Sequence, residues 1–316
     1  MFSIKKEIKK ILSLVGQKNP ELLVKTRYWF RFHRRLNLNA PSDLNEKIQY
    51  LSLRTNTDEW SRLTDKFAVR EYVAQCGLGN ILNTLYGTWE RAEDVDFDSL
   101  PNRFVLKTTH GSGDSIIVHD KRTIDVEKIR STLRQTLSET YGLAEGDIHY
   151  SRITPRVVAE HLLDNDEESS RYSSSLIDYK IWCFDGKAHF IWACTNRTKE
   201  SVRVMVYDKE WNAHPEYVVA THHYKIANLL PQPKNLPEML TVAERLAKPF
   251  PVVRVDLYNI SGVIYFGEMT FTSIGGLMNV YSREFLDMTG NLISIPSSAD
   301  ELHLSSENKK HNAVHY

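Results

Sequence analysis

Four residues have the types and spacing to do chemistry together. Arg254 and Asp256 lie two apart in the apolar run VVRVDLY, and Glu268 and Thr270 lie two apart in VIYFGEMTF. Between the runs stands Asn259-Ile260-Ser261-Gly262, a turn-prone tetrapeptide, so the pattern predicts a β-hairpin. Alternation puts Arg254 and Asp256 on one face of the first strand, and Glu268 and Thr270 on one face of the second. Charges on otherwise apolar strands are costly to bury unless they are paired or hold a ligand. Two facing carboxylates repel, and a divalent cation relieves that repulsion. A solvated sheet face with one Arg–Asp pair is the alternative. With a four-residue turn, a simple register sets Asp256 nearer Tyr265 than Glu268, so a shared cation requires side-chain reach or a bulge.

A second group lies upstream. Lys107 ends a short apolar strand over 103–107, Thr108-Thr109-His110-Gly111-Ser112-Gly113-Asp114 follows, and a strand resumes over 115–118. Such a loop is a flap whose backbone N–H groups can cover phosphates, with Lys107 as a point charge beside them. The Walker A pattern is absent and no helix is expected after the loop; an ordinary turn is the alternative. His110 could contact a phosphate or act as an acid–base, or simply stabilise the turn. Glu160 is the one acid in an apolar strand over 156–163. Lys180 sits near the start of a strand over 179–184, which Asp185-Gly186 turns back into 188–194. Asp164-Asn165-Asp166 is an Asp-x-Asp arrangement able to hold a metal and a sugar-nucleotide diphosphate, or else a solvated loop, since EESSRYSSS follows.

The elements that must position these groups are mostly legible. Ser42 is the expected N-cap of a helix through LNEKIQYLSLR, with Asp43 and Glu46 in its first turn. Thr64-Asp65-Lys66 is expected to open a helix through FAVREYVAQCG that stops at Gly77 or Gly79, with Asp65 capping it. A strand is expected within 81–89, helices over 125–141 and 240–246, and a strand over 205–207. The N-terminal MFSIKKEIKKILSLVG is basic and amphipathic, either a packing helix or an interfacial one. RYWFRFHRRLNL could hold an anionic partner by stacking and charge, or be a snorkelling helix face. The last residues, SSADELHLSSENKKHNAVHY, are polar and expected to be frayed. With 40 Lys plus Arg against 40 Asp plus Glu in 316 residues, no bulk positive charge recommends a nucleic-acid partner. The three cysteines lack metal-ligand spacing and fit a reducing compartment, and no run is long and apolar enough to span a membrane.

In order and spacing, Asp65-Lys66, Lys107 before the Gly-Ser-Gly loop, Glu160 in VVAEHLL, Arg254-x-Asp256 and Glu268-x-Thr270 resemble an ATP-grasp enzyme. More narrowly, LNEKIQYL, LTDKFAVREYV, LKTTHGSG and DYKIWCFDGK are similar to the TupA-like ATP-grasp family of bacterial surface-polysaccharide clusters, over roughly residues 44–279. The resemblance implies an α+β ATP-grasp fold, two α+β lobes with a mobile β-flap gripping ATP between them. It implies a helical basic segment over 1–41, a substrate-side subdomain over 42–105, and a lid over 106–163. A C-terminal subdomain with the metal hairpin over 164–295 and a polar tail over 296–316 complete the chain. Lys66 and Lys107 would touch the ATP phosphates, and Gly111, Ser112 and Gly113 would form the flap. Glu160 would be the hinge acid, with the backbone of His161 and Leu162 near the adenine edge. Asp256 and Glu268 would bridge Mg2+ to the phosphates, and Arg254 would steady the transferring phosphoryl group. Thr270 stands where the wider family usually has Asn; a neutral hydroxyl is a weaker ligand, which leaves one or two metals open. Lys180 would be a substrate or phosphate contact, or a strand-edge lysine.

The implied activity is that of a Mg2+-ATP-dependent carboxylate–amine ligase working through an acyl phosphate. It would attach an amino acid or similar amine to an acidic sugar in surface-polysaccharide assembly. The expected location is the cytoplasm, with the basic N-terminus as a route to peripheral contact at the membrane's inner face. The aromatic-basic N-terminal segment and residues 196–203 are candidate acceptor surfaces. Loss of Asp256 or Glu268 is expected to abolish ATP consumption with the fold intact. A glycosyltransferase acting through Asp164 and Asp166, and a degenerate ATP-grasp protein that only binds a partner, are the alternatives.

Overall fold

The computed structural model describes residues 2–295, with side chains from residue 7 onward; the expected tail over 296–316 lies outside the described residues. Two helices, Phe2–Lys18 and Pro20–Phe32, open the chain. Asn19 separates them, its side chain accepting the Leu22 N–H at 3.0 Å, with Pro20 in the first helical position where no N–H is needed.

The next helix, Leu44–Arg54, begins one residue later than expected. Its N-cap is Asp43, whose Oδ1 accepts the Glu46 N–H at 2.8 Å, while Glu46 reaches back to the Ser42 N–H at 3.0 Å. Asp43 thus takes the cap, and Ser42, one residue ahead of it, gives both its N–H and its hydroxyl to Glu46 in a variant of the capping box. The expected helix through Asp65 and Lys66 is two helices, Asp58–Thr64 and Val69–Gln75. Asp65 caps the turn between them, accepting from the Phe67 and Ala68 N–H groups at 2.8 and 3.2 Å. Lys66 therefore sits in a bend, freed from helical packing.

A four-stranded antiparallel sheet follows, built from β1 (Leu85–Trp89), β2 (Phe104–Thr108), β3 (Ile116–Val118) and β4 (Val157–His161) in the order β1-β4-β2-β3. β1 comes from before the expected lid segment. Phe104, Leu106, Val157 and Ala159 bury one face with Leu133 of helix Val126–Leu137, which Asp125 caps. Alternation then leaves Lys107 and Glu160 on the opposite face.

The larger sheet has six strands: β5 (Asp178–Phe184), β6 (Lys187–Thr195), β7 (Val202–Asp208), β8 (Tyr224–Ile226), β9 (Val252–Ile260) and β10 (Val263–Thr270). Their order is β10-β9-β5-β6-β7-β8, antiparallel except for the β7–β8 pair. The expected Asp185-Gly186 turn joins β5 to β6, with both residues left-handed. Helix Leu236–Ala247 packs against β5, β6 and β9. Ile181, Val253, Val255 and Leu257 share a core there with Met239, Ala243 and Leu246, all fully buried. Each of the larger side chains among them stabilises by about 1.5–3 kcal/mol, enough to fix which face of β9 turns inward. Lys180, Arg254 and Asp256 are thereby committed to the other face. At one end of that face Trp182 is sealed off, its Nε1 donating to the Tyr281 hydroxyl at 2.7 Å.

Candidate active site

The β9–β10 hairpin pairs Asp256 directly with Glu268, and Arg254 with Thr270. Two departures from the simple register achieve this. The turn is Ser261-Gly262 alone, both at positive φ (52° and 81°), with Asn259 and Ile260 drawn into the strand. A bulge between Phe266 and Glu268 supplies the last residue of offset. Gly267 permits it, because a Cβ there would stand 2.9 Å from the Asp256 carbonyl oxygen.

β5 completes the charged face, with Lys180 opposite Asp256. Arg254 grips Asp256 with two N–H donors at 2.7 and 2.8 Å, and Lys180 Nζ donates to Asp256 Oδ2. Arg254 also donates to Thr270 Oγ1 at 3.1 Å, Glu268 Oε1 at 3.3 Å and Ser273 Oγ at 2.6 Å. Burial alone would raise the Asp256 carboxyl, but Arg254 and Lys180 outweigh it and hold the group below its ordinary range. Burial and the neighbouring Asp256 charge push Glu268 upward, against Lys180, Arg254 and Lys66. Glu268 therefore carries the carboxylate that gains most from an added cation. Its side chain is 39% exposed, and it lines the cleft.

The other lobe meets this face with lysines. Lys107 Nζ donates to Glu160 at 2.8 Å, and Arg70 reaches the same carboxylate at 3.3 Å. Lys66 Nζ donates to the Gly111 carbonyl, tying the bend after Asp65 to the flap. Burial lowers the Lys66 pKa, while Glu268 and Asp114 act on it in the opposite sense. Glu268 thus lies within electrostatic reach of both lobes.

Between the lobes is a cleft of about 610 Å3. It brings together Lys66, Lys107, Ser112, Gly113, Glu160, Lys180, Arg254, Asp256, Glu268 and Thr270. Gly111, His161 and Leu162 do not line it. His161 donates its backbone N–H to the Thr84 carbonyl at 2.9 Å and accepts from the Asn83 side chain at 2.8 Å. His110 is buried with Nε2 on the Glu139 carbonyl at 3.0 Å, a contact that fits turn stabilisation. Asp164 and Asp166 are likewise spent on structure. Asp164 accepts from Arg103 at 2.9 Å, and Asp166 caps a short helix at Ser169 and accepts the Ser261 N–H.

Sequence reasoning missed Arg70, Asp178 and Tyr258 among the lining residues. Asp178 and Tyr258 follow from alternation about Lys180 and Asp256, since each lies two residues away on the same face. Arg70 has only a weak signal, four residues beyond Lys66.

The donor set fits a magnesium polyphosphate. Among the described residues no three His, Cys, Asp or Glu side chains cluster as a metal cage. Mg2+ normally takes one or two carboxylates and completes its shell with phosphate oxygens and water; Glu268 is the carboxylate open to the cleft, and Asp256 beside it is already held by Arg254 and Lys180.

Lys107 on the smaller sheet and Lys66 in the bend after Asp65 thus line the same cleft as the Arg254-Asp256-Glu268 face of the larger sheet, within a mixed α+β fold. The TupA-like ATPgrasp family matches residues 46–294, and the chain belongs to that family, with its α+β ATP-grasp fold. Solved structures similar to it include a D-alanine–D-alanine ligase from Bacillus anthracis complexed with ATP, at 16% identity and TM-score 0.45, covering 85% of this chain and 75% of that one. An L-amino acid ligase from Bacillus licheniformis is similar at 15% identity and TM-score 0.48, covering 88% of this chain and 62% of that one. No curated protein matches the chain.

Proposed function

We propose that the cleft binds Mg2+-ATP and joins a carboxylate to an amine. The observation that carries this is the convergence of Lys66, Lys107, Lys180 and Arg254, from both lobes, on a face that also holds Asp256 and Glu268. Phosphoryl transfer needs little covalent help but much positive charge around the γ-phosphate. Mg2+ held by Glu268 and Asp256, with Thr270 adjacent, would add charge neutralisation at the phosphate oxygens. Lys66 and Lys107 hold the phosphate tail, and the Gly111–Gly113 flap closes over it and keeps water out. Arg254, fixed by Asp256, presents its one remaining Nη1 donor and its charge where charge develops in transfer to a substrate carboxylate. Lys180 orients Asp256 and so acts on Arg254 as well. Both His161 backbone groups are already engaged, so the Leu162 backbone is left to meet the adenine edge.

The acceptor acid in this reading is an acidic sugar and the second substrate an amine, in surface-polysaccharide assembly, inside the cell. The first helix supports peripheral contact with an anionic membrane, because Ile8, Ile11 and Leu14 are about half exposed beside Lys9 and Lys10. No helix among the described residues is long and apolar enough to cross a membrane. Hydroxylamine capture tests the chemistry. With Mg2+-ATP and a panel of uronic acids, hydroxamate and ADP should form in equal amounts. Consumption of a UDP-sugar with no ADP formed from any acid would replace the ligase with a glycosyltransferase.

A further inference from the structure

The two helices that open the chain precede the family-matched segment, which starts at residue 46, and they differ from the rest of the molecule in charge and in surface. Residues 1–41 hold ten of the chain's 40 Lys and Arg but only two of its 40 Asp and Glu, an excess of eight positive charges in a chain of formal net charge zero. Six of the fourteen large apolar side chains exposed among the described residues lie there too. They are Ile8, Ile11 and Leu14 on the first helix, and Leu22, Trp29 and Phe30 on the second. Trp29 is 49% and Phe30 73% exposed. Apolar side chains gathered in this way mark a surface that meets an apolar partner.

Helix Pro20–Phe32 has three sides. Val24 and Tyr28 are buried against the body of the protein. Leu22, Trp29 and Phe30 fall within about 100° of one another around the helix axis and are exposed, with Lys25 at their border. Arg27 and Arg31 come next around the axis and line the cleft, where they form one wall with Asp147. Arg31 is exposed, so this wall is the rim of the cleft, and Arg27 Nε is buried there without a hydrogen-bond partner. The helix is fixed in this pose. Arg27 Nη1 donates to the Ala144 carbonyl at 2.9 Å, and Arg31 Nη1 to Asn279 Oδ1 at 3.0 Å. Val24 packs where a Cβ on Gly146 would stand 2.6 Å from it. Whatever covers the apolar side is therefore held beside the rim.

A second copy of the chain is a poor occupant for that side, because a two-fold contact through these helices sets their excess positive charges against each other. An anionic bilayer complements them. Aromatic rings settle at the depth of the lipid headgroups, apolar chains below it, and Lys and Arg at the lipid phosphates. We propose that helix Pro20–Phe32 is a two-sided membrane anchor. Its apolar side enters an anionic bilayer, and Arg27 and Arg31 take an anionic headgroup at the rim, so the acid that the cleft activates arrives on a lipid anchor. The proposal rests on the ligase reading for that acid. It goes beyond contact through the first helix by fixing which way the cleft faces and which form of the acid reaches it.

The test is vesicle sedimentation of the full chain, followed by turnover on the same vesicles. Vesicles of equal parts phosphatidylcholine and phosphatidylglycerol should bind the protein about tenfold or more tightly than phosphatidylcholine alone. Trp29→Ser with Phe30→Ser, at exposed positions where folding is safe, should weaken that binding by about tenfold and leave Mg2+-ATP affinity within about twofold. Arg31→Ala should weaken it by about fivefold. Brominated lipid should quench tryptophan emission in the wild type and much less in Trp29→Phe, which still binds. With Mg2+-ATP and hydroxylamine, octadecyl glucuronide in the vesicles should half-saturate about tenfold or more below methyl glucuronide, an advantage that the double variant loses. No preference for anionic vesicles overturns the anchor, and so does a dimer that the double variant dissociates. Equal use of the two glucuronides by vesicle-bound protein overturns the lipid-borne acid. Vesicle binding with neither glucuronide consumed overturns the acidic-sugar reading beneath it, and the lipid-borne acid with it.

Discussion

Asp256 accepts from Arg254 and Lys180 while only 2% exposed, so deleting its carboxylate strands two buried cations. Breaking a buried pair in this way costs about 3–5 kcal/mol. Glu268 has one contact to Arg254, at 3.3 Å, and opens onto the cleft. Asp256→Ala should therefore lower the melting temperature by several degrees, and Glu268→Gln should leave it nearly unchanged. Equal shifts in the two melts would contradict the arrangement. The sequence marked both acids as candidates and treated their removal alike; residue type and spacing name a carboxylate but not its partners across 76 residues of chain.

Asp147 carries the opposite signature. Its folded pKa of about 7 lies above the ordinary 3.8, so between those values the folded protein holds a proton that the unfolded chain has lost. Stability from this group is full below about pH 4 and falls as pH rises toward 7, by up to about 4 kcal/mol. The charged and titratable groups facing it are Glu145, Arg27, Tyr141 and Tyr150. Asp147→Asn should melt progressively higher than wild type as pH is raised across that window. A gap between the two melting curves that does not change with pH would remove the buried carboxyl from the account.

At the scale of elements, the hairpin shows what a sequence can and cannot give. Alternation correctly placed Arg254, Asp256, Glu268 and Thr270 on one face. Register depended on two features read too coarsely: a two-residue turn at Ser261-Gly262, and an isolated glycine inside a strand, which is itself a bulge signal. The start of helix Leu44–Arg54 moved because Asp43 takes the cap expected of Ser42, while Asp65 caps as expected but closes a bend between two helices and not the start of one. Gly267→Val should push against the Asp256 carbonyl and turn Glu268 away from it. The expected result is a loss of about 1–3 kcal/mol in stability and a larger proportional loss of nucleotide affinity. Unchanged affinity in titration would show that the bulge is dispensable.

At the scale of the molecule, Asp43 ties distant parts of the chain together. It is fully buried, caps helix Leu44–Arg54, and pairs with Arg34 near the N-terminal helices and Arg283 near the end of the described chain. Asp43→Ala should destabilise by about 1–2 kcal/mol through the lost cap, since Arg34 and Arg283 keep access to water, read as a lowered denaturation midpoint; an unchanged midpoint would deny the clasp. The fold class and the cleft's lysines and hairpin acids were legible because they lie in short local patterns. The wall formed by Arg27, Arg31 and Asp147 was not, because it joins segments more than 100 residues apart through helix docking. Only the aromatic-basic composition of RYWFRFHRRLNL pointed toward it.

The most direct measurement is calorimetric titration of ATP into the wild type and Glu268→Gln, each with and without Mg2+. The account predicts saturable ATP binding that requires Mg2+ in the wild type and is weakened by about tenfold or more in the variant, whose fold is intact. ATP binding indifferent to both the metal and Glu268, or binding of UDP-sugars in its place, would contradict it.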